Sequence, residues 1–153
     1  MLTHHGLAEL TAKHFGAIDM KKLCNICGDL ISNGKKCDDC RNGSHGLKWS
    51  ELIKLANVQG LRCPILGTPF EIDHFNKKIL DKDPMSKKNQ RVCVDHCHDT
   101  MIIRGLLSDM GNMLVGGFDR RRYGITSDFR PKPMIDYLES QFAQQTVGEK
   151  IFK

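Results

Sequence analysis

Two Cys-x-x-Cys turns, Cys24-Asn25-Ile26-Cys27 and Cys37-Asp38-Asp39-Cys40, stand nine residues apart. Facing each other, such turns bring four thiolates into a tetrahedron around one Zn²⁺. The flanking residues suit a knuckle. Gly28 follows the first pair, Asn33-Gly34 makes a tight turn, and Lys35, Lys36 and Arg41 offset the dianionic charge of a zinc tetrathiolate. Four protein thiolates leave no open position for water, so this zinc is structural. The alternatives are two disulfides or unliganded cysteines. A redox Cys-x-x-Cys is disfavoured, because there are two pairs and no surrounding βαβ pattern. The chain has seven cysteines, an odd number that would leave one unpaired in a secreted protein. Metal binding in a reducing compartment explains them better, and the expected location is intracellular.

The 153 residues suffice for one small domain with appended segments, a size at which a metal often supplements the core. The formal net charge of +5 favours a polyanionic partner. No apolar run reaches the length of a membrane span, and Met1-Leu2-Thr3-His4-His5 does not begin a secretory signal. Four segments are expected: an N-terminal helix over 1–22, the knuckle and a linking helix over 23–60, a core of short strands and a helix over 61–123, and a C-terminal helix and tail over 124–153. Ser50 is expected to cap the linking helix at Glu51, and Gly60 to end it. Strands are expected at Phe70–Ile72, Arg91–Val94 and Met101–Arg104. The lysine-rich stretch from Asn76 to Gln90 reads as a surface loop. Ser108 or Asp109 caps a helix that Gly116-Gly117 interrupts. The last helix runs from about Pro133 to Ala143 with Met134, Ile135, Leu138 and Phe142 as its apolar stripe, followed by a frayed end.

The chemistry concentrates in Val94-Asp95-His96-Cys97-His98, followed by Arg104-Gly105-Leu106-Leu107 and Asn112. Phosphodiester hydrolysis needs an activated water, charge stabilisation at the phosphate and help for the leaving oxygen. A neutral histidine deprotonates water near pH 7. A hard divalent cation meets the other two needs and prefers oxygen ligands such as the Asp95 carboxylate and the Asn112 carbonyl. One conflict stands out. In a regular strand Asp95 and His96 point to opposite faces, so both reach one phosphate only where the backbone leaves β geometry.

The order Asp-His-x-His, Arg-Gly-Leu-Leu, Asn resembles the recombination endonuclease VII family of the ββα-metal (HNH, or His-Me finger) nucleases. The resemblance covers about residues 63–140, including Ile135-Asp136-Tyr137-Leu138-Glu139 as a closing helix. It implies that the hairpin is irregular at Asp95-His96. It makes His96 the general base, Asp95 and Asn112 the ligands of a catalytic Mg²⁺ or Mn²⁺, and His98 a second catalytic histidine that contacts phosphate or orients the site. Arg104 becomes a phosphate contact or a hairpin brace. Asp73-His74 lacks the following elements and reads as structural. The family's own Cys-x-x-Cys pairs are replaced by Cys63-Pro64-Ile65-Leu66 and Ser108-Asp109-Met110-Gly111. The zinc beside the active site is therefore expected to be lost, unless Cys63, Cys93, Cys97 and His74 form a rearranged one.

The expected fold is α+β: a small zinc-stabilised domain with a ββα-metal hairpin and flanking helices. The expected activity is metal-dependent DNA endonuclease, tilted towards a free-standing phage-type enzyme that cuts duplex DNA. A Holliday-junction resolvase and a non-catalytic zinc-knuckle nucleic-acid binder are the alternatives. Arg104, Lys87, Lys88, Arg91, Arg120, Arg121 and Arg122 are the candidate DNA contacts, and the enzyme is expected as a monomer or homodimer. Trp49 is a candidate for base stacking, though a lone tryptophan more often belongs to a core.

Overall fold

The computed structural model describes residues 22–32, 34–82, 91–119 and 131–153. All but the last residue of the expected N-terminal helix lies outside these, as do Lys87, Lys88, Arg120, Arg121 and Arg122. The chain divides into two compact units, Met1–Cys37 and Asp38–Lys153. In the first, β1 (Lys22–Leu23) pairs antiparallel with β2 (Leu30–Ile31). The reversal between them depends on Gly28, whose φ of 77° is open to glycine at little cost. Its N–H donates to the Cys24 carbonyl at 2.9 Å.

The second unit opens with a short α1 (Asp38–Asn42) and then α2 (Trp49–Val58). Helix α2 begins two residues before the expected Glu51. Glu51 turns back to accept the Lys48 N–H at 2.8 Å, satisfying a donor at the helix start. Ser50 is not the cap. Its N–H and Oγ both donate to the Asp39 carboxylate, at 2.7 and 2.6 Å, and tie α2 to α1. Leu52, Leu55 and Ala56 are the buried face, and Gly60 at φ 69° ends the run as expected.

Strand β3 (Phe70–Asp73) pairs antiparallel with β4 (Lys78–Asp81). The loop expected from Asn76 to Gln90 thus contains a strand. Its lysines hid the pattern, and the turn chemistry lies in Asp73, whose carboxylate accepts the Phe75 N–H, the Asn76 N–H and the Asn76 side-chain amide. Those Asn76 bonds lead in holding Asp73 below the ordinary carboxylate value.

Strands β5 (Val92–His96) and β6 (Ile103–Ser108) form an antiparallel hairpin that runs directly into α3 (Asp109–Asp119). The expected strands lay one to four residues towards the N-terminus of these. The register is regular from Val92↔Ser108 to Asp95↔Gly105, then shifts, so that His96 faces Ile103 and Arg104 is the extra residue of a bulge. Ser108 Oγ accepts the Gly111 N–H at 3.1 Å, which caps α3. The helix continues through Gly116-Gly117 instead of stopping there. The last expected helix is two, α4 (Lys132–Ser140) and α5 (Phe142–Val147), broken at Gln141 with φ 50°. Helix α4 buries Met134 and Tyr137 and α5 buries Ala143, while Ile135 is exposed. The tail is fixed. Ile103 N–H donates to the Lys150 carbonyl, Phe152 N–H donates to the Met101 carbonyl, and Lys150 pairs with Glu51 at 2.8 Å.

The core gathers Leu52, Leu55, Phe70, Ile103, Leu106, Leu107, Val115, Met134 and Tyr137 around the hairpin. Gln59 joins α2 to it. Its buried amide donates to the Leu106 carbonyl at 2.7 Å and accepts the Leu106 N–H at 2.8 Å, standing in for a neighbouring strand. The molecule is thus a small mixed helix-and-strand fold. Among the described residues no helix is long and apolar enough to cross a membrane.

Candidate active site and cysteine cluster

Ligand atoms of Cys24, Cys27, Cys37 and Cys40 lie within 4.8 Å of one another. None of the seven cysteines is in a disulfide, so the disulfide alternative falls. Cys27 and Cys37 sulfurs stand 3.6 Å apart. Four sulfurs at about 2.3 Å from a tetrahedral zinc are about 3.8 Å apart, so the spacing fits that ion. Burial raises the Cys24 thiol, but hydrogen bonds from the Cys37, Cys27 and Ile26 backbone outweigh it and bring the pKa down to about 6. A thiolate is what the metal binds.

The rearranged second zinc site is not formed. The described residues hold no other group of three or more such ligands. Cys63 is buried under α3, where a Cβ on Gly111 would stand 2.8 Å from its sulfur. Cys93 approaches Asp109 at 3.6 Å, and burial, then the Asp109 charge, push its thiol up to about 11. Cys97 sits at the hairpin tip, where a bond from Thr100 lowers its pKa.

The hairpin bulge parts Asp95 from His96. Asp95 is 3% exposed. Its Oδ2 accepts Arg104 Nε at 2.7 Å and the Tyr137 hydroxyl at 2.8 Å, and its Oδ1 accepts Arg104 Nη2 at 3.0 Å. Gly105 makes this possible, since a Cβ there would lie 3.1 Å from the Tyr137 hydroxyl and from the Gln59 side-chain oxygen. Burial, followed by the Asp95 charge, drives the Tyr137 phenol well above its ordinary range, so it is a fixed donor. The motif Arg-Gly-Leu-Leu is therefore a brace for Asp95, a gap for Tyr137 and two core leucines.

His96 lies in a different environment. Its ring stacks on Phe152, with centroids 3.8 Å apart and planes 19° from parallel, and Phe152 stacks in turn on His45 at 4.4 Å. His98 is exposed, its ring 4.8 Å from that of His96. Burial first, then the His98 ring, hold His96 below the ordinary histidine value of 6.5. Asn112 is half-buried in the first turn of α3. Arg91 is exposed just before β5, whereas Arg104 is turned inward onto Asp95. Motif reasoning did not single out Tyr137, Gln59, His45 or Phe152 as parts of the site. The only sequence signal for Tyr137 was its place in the closing helix, and nothing local marked the other three.

A carboxylate and an amide oxygen suit a hard divalent cation in kind. Oδ1 of Asp95 retains one acceptor position beyond its bond to Arg104. A cation gains more of the carboxylate only as Arg104 releases it.

The hairpin and the helix after it fall where the chain matches a known family, while the cysteine cluster, Gln59, His45 and Phe152 lie outside that stretch. Residues 78–140, from β4 into α4, match the recombination endonuclease VII family. The Gene 59 protein of Mycobacterium phage D29 is 39% identical over 64 residues, which is 42% of this chain and 36% of that protein. The chain thus spans about a third of the length of the curated relative it matches. No solved structure matches it. The stretch similar to the recombination endonuclease VII family, residues 78–140, includes His96, His98, the hairpin and the helix carrying Asn112.

Proposed function

We propose that this chain is a metal-dependent DNA endonuclease of the ββα-metal type. The observation that carries the reading is the family match, because it takes in the hairpin, His96, His98 and Asn112 as one unit. His96 is the general base. Its depressed basicity keeps the ring neutral at pH 7, ready to take a proton from the attacking water. The Phe152 stack fixes the ring plane and excludes solvent from one face. His98, exposed beside it, is placed to contact the phosphate. Asp95 and Asn112 are the residues to hold Mg²⁺ or Mn²⁺, which when bound supplies charge neutralisation for the phosphate and the leaving oxygen. Tyr137 and Arg104 orient Asp95. The four-cysteine cluster holds a structural Zn²⁺. Arg91 and the basic residues Lys87, Lys88, Arg120, Arg121 and Arg122 supply phosphate contacts.

The family's description as a recombination endonuclease favours branched DNA, such as a four-way junction, over plain duplex. The test is cleavage of supercoiled plasmid and of a synthetic four-way junction, with Mg²⁺ or Mn²⁺, by wild type and His96→Ala. Cleavage of either by wild type alone supports the reading, and the preferred substrate decides between duplex and branched DNA. Binding of both without cleavage favours the non-catalytic zinc-knuckle binder.

A further inference from the structure

A cavity of about 430 Å³ opens in the Asp38–Lys153 unit against the β5–β6 hairpin. Its size falls within the ~300–1,000 Å³ of pockets that enclose small ligands. Lys77, Lys78 and Arg91 line it, and among the described residues no carboxylate does. Trp49 and His45 supply aromatic surface, Asn42 an amide that both donates and accepts, and apolar side chains of α2, β4 and the hairpin complete the wall. His45 also stacks on Phe152, and Phe152 stacks on His96. The cavity is therefore two ring contacts from the proposed base.

Cations and an aromatic face in one concave site match the two halves of a nucleotide. A free phosphate would use the cations and leave the aromatic and apolar wall unoccupied. We propose that this cavity takes one unstacked nucleotide of a DNA strand, its base against Trp49 and its phosphate among Lys77, Lys78 and Arg91. The proposal rests on the DNA reading above and extends it to a site outside the hairpin motif. Base stacking is tolerant of sequence, and phosphate contacts carry none, so the cavity selects an unpaired nucleotide and not a particular base. Holding that nucleotide next to the His45–Phe152–His96 stack brings the strand to the side of the hairpin where His96 lies.

Trp49 is the only tryptophan in the chain, so its emission reports on the cavity directly. Wild-type protein without added divalent cation is titrated with a short thymidine oligomer. It is then titrated with an abasic oligomer of equal length and phosphate count. The thymidine oligomer is expected to quench Trp49 saturably and to bind about tenfold more tightly than the abasic one, the size of a single base stack. Arg91→Ala and Lys78→Ala, both at exposed positions, are expected to weaken both oligomers several-fold, read by fluorescence anisotropy. Equal affinity and equal quenching by the two oligomers would overturn the proposal, since charge alone would then explain binding. So would unchanged binding in both variants. If wild type still cuts plasmid or junction in that case, the nuclease reading survives and only the cavity assignment fails. If no DNA is bound or cut, both fail together.

Discussion

Arg104 holds both carboxylate oxygens of Asp95, and it does so as the extra residue of the bulge that separates Asp95 from His96. The pair is largely out of solvent, with Asp95 at 3% and Arg104 at 14% exposure. Removing the guanidinium strands a buried carboxylate. Arg104→Gln is expected to lower stability by about 3 kcal/mol, the scale of breaking a buried pair. Thermal unfolding of the variant should rise with added Mg²⁺ more than that of wild type, because the ion replaces the missing positive charge. Equal Mg²⁺ response in the two proteins would show that Asp95 is no cation ligand.

Tyr137→Phe tests the same carboxylate from the other side. The hydroxyl donates to Oδ2 at 2.8 Å in a buried setting, so its loss should cost about 1–2 kcal/mol in denaturant unfolding. The ring remains to fill the core. A cost near zero would mean that Arg104 alone positions Asp95.

The acid side of the pH–rate profile should lie below 6.5. His96 is held below its ordinary value, so the neutral, proton-accepting form persists to lower pH than in an ordinary histidine and is lost only on protonation below that. Cleavage should therefore be flat from neutral pH downward and then fall. Phe152→Ala removes the ring that buries His96, so its acid limb should move up towards 6.5. An NMR titration of His96 in the two proteins reads the same shift without any turnover.

Metal analysis of protein prepared without chelator should find one Zn²⁺ per chain. Cys24→Ser or Cys37→Ser should lose it, while Cys63→Ala should keep it, because Cys63 lies in the core apart from the cluster. Zinc retained in Cys24→Ser would remove that cysteine from the ligand set.

Much of this architecture could be read from short-range signals. The two Cys-x-x-Cys turns announced their cluster by spacing alone, and Gly60 and Ser108 marked helix boundaries through local chemistry. The hairpin and the helix after it followed from a motif. What escaped depended on distant partners. Ser50 looked like a cap until Asp39 took its donors. Strand β4 escaped for another reason: its pairing with β3 is local, through the Asp73 turn, but lysines at its start masked the alternation. The tail looked frayed because Phe152 finds its stacking partners only after the chain returns to His45 and His96. Tyr137 joined the site because Gly105 leaves room for it, a relation between residues far apart in sequence.

The bulge at Arg104 also bears on how this hairpin can vary. Side chains alternate along a strand, so adding or removing one residue turns everything beyond it inside out. Here the extra residue stands in β6, so Asp95 and His96 keep the separate surroundings that alternation along β5 gives them, while Ile103 and the residues before it are shifted by one position. Deleting Arg104 would therefore do more than remove a cation. It would restore plain alternation along β6 and shift Ile103 and Met101, which hold the tail at Lys150 and Phe152. Substitutions in this stretch alter one contact each, but a single insertion or deletion rewrites the whole site. Related sequences should accordingly drift in residue type here while keeping the number of residues between Asp95 and Gly105 fixed.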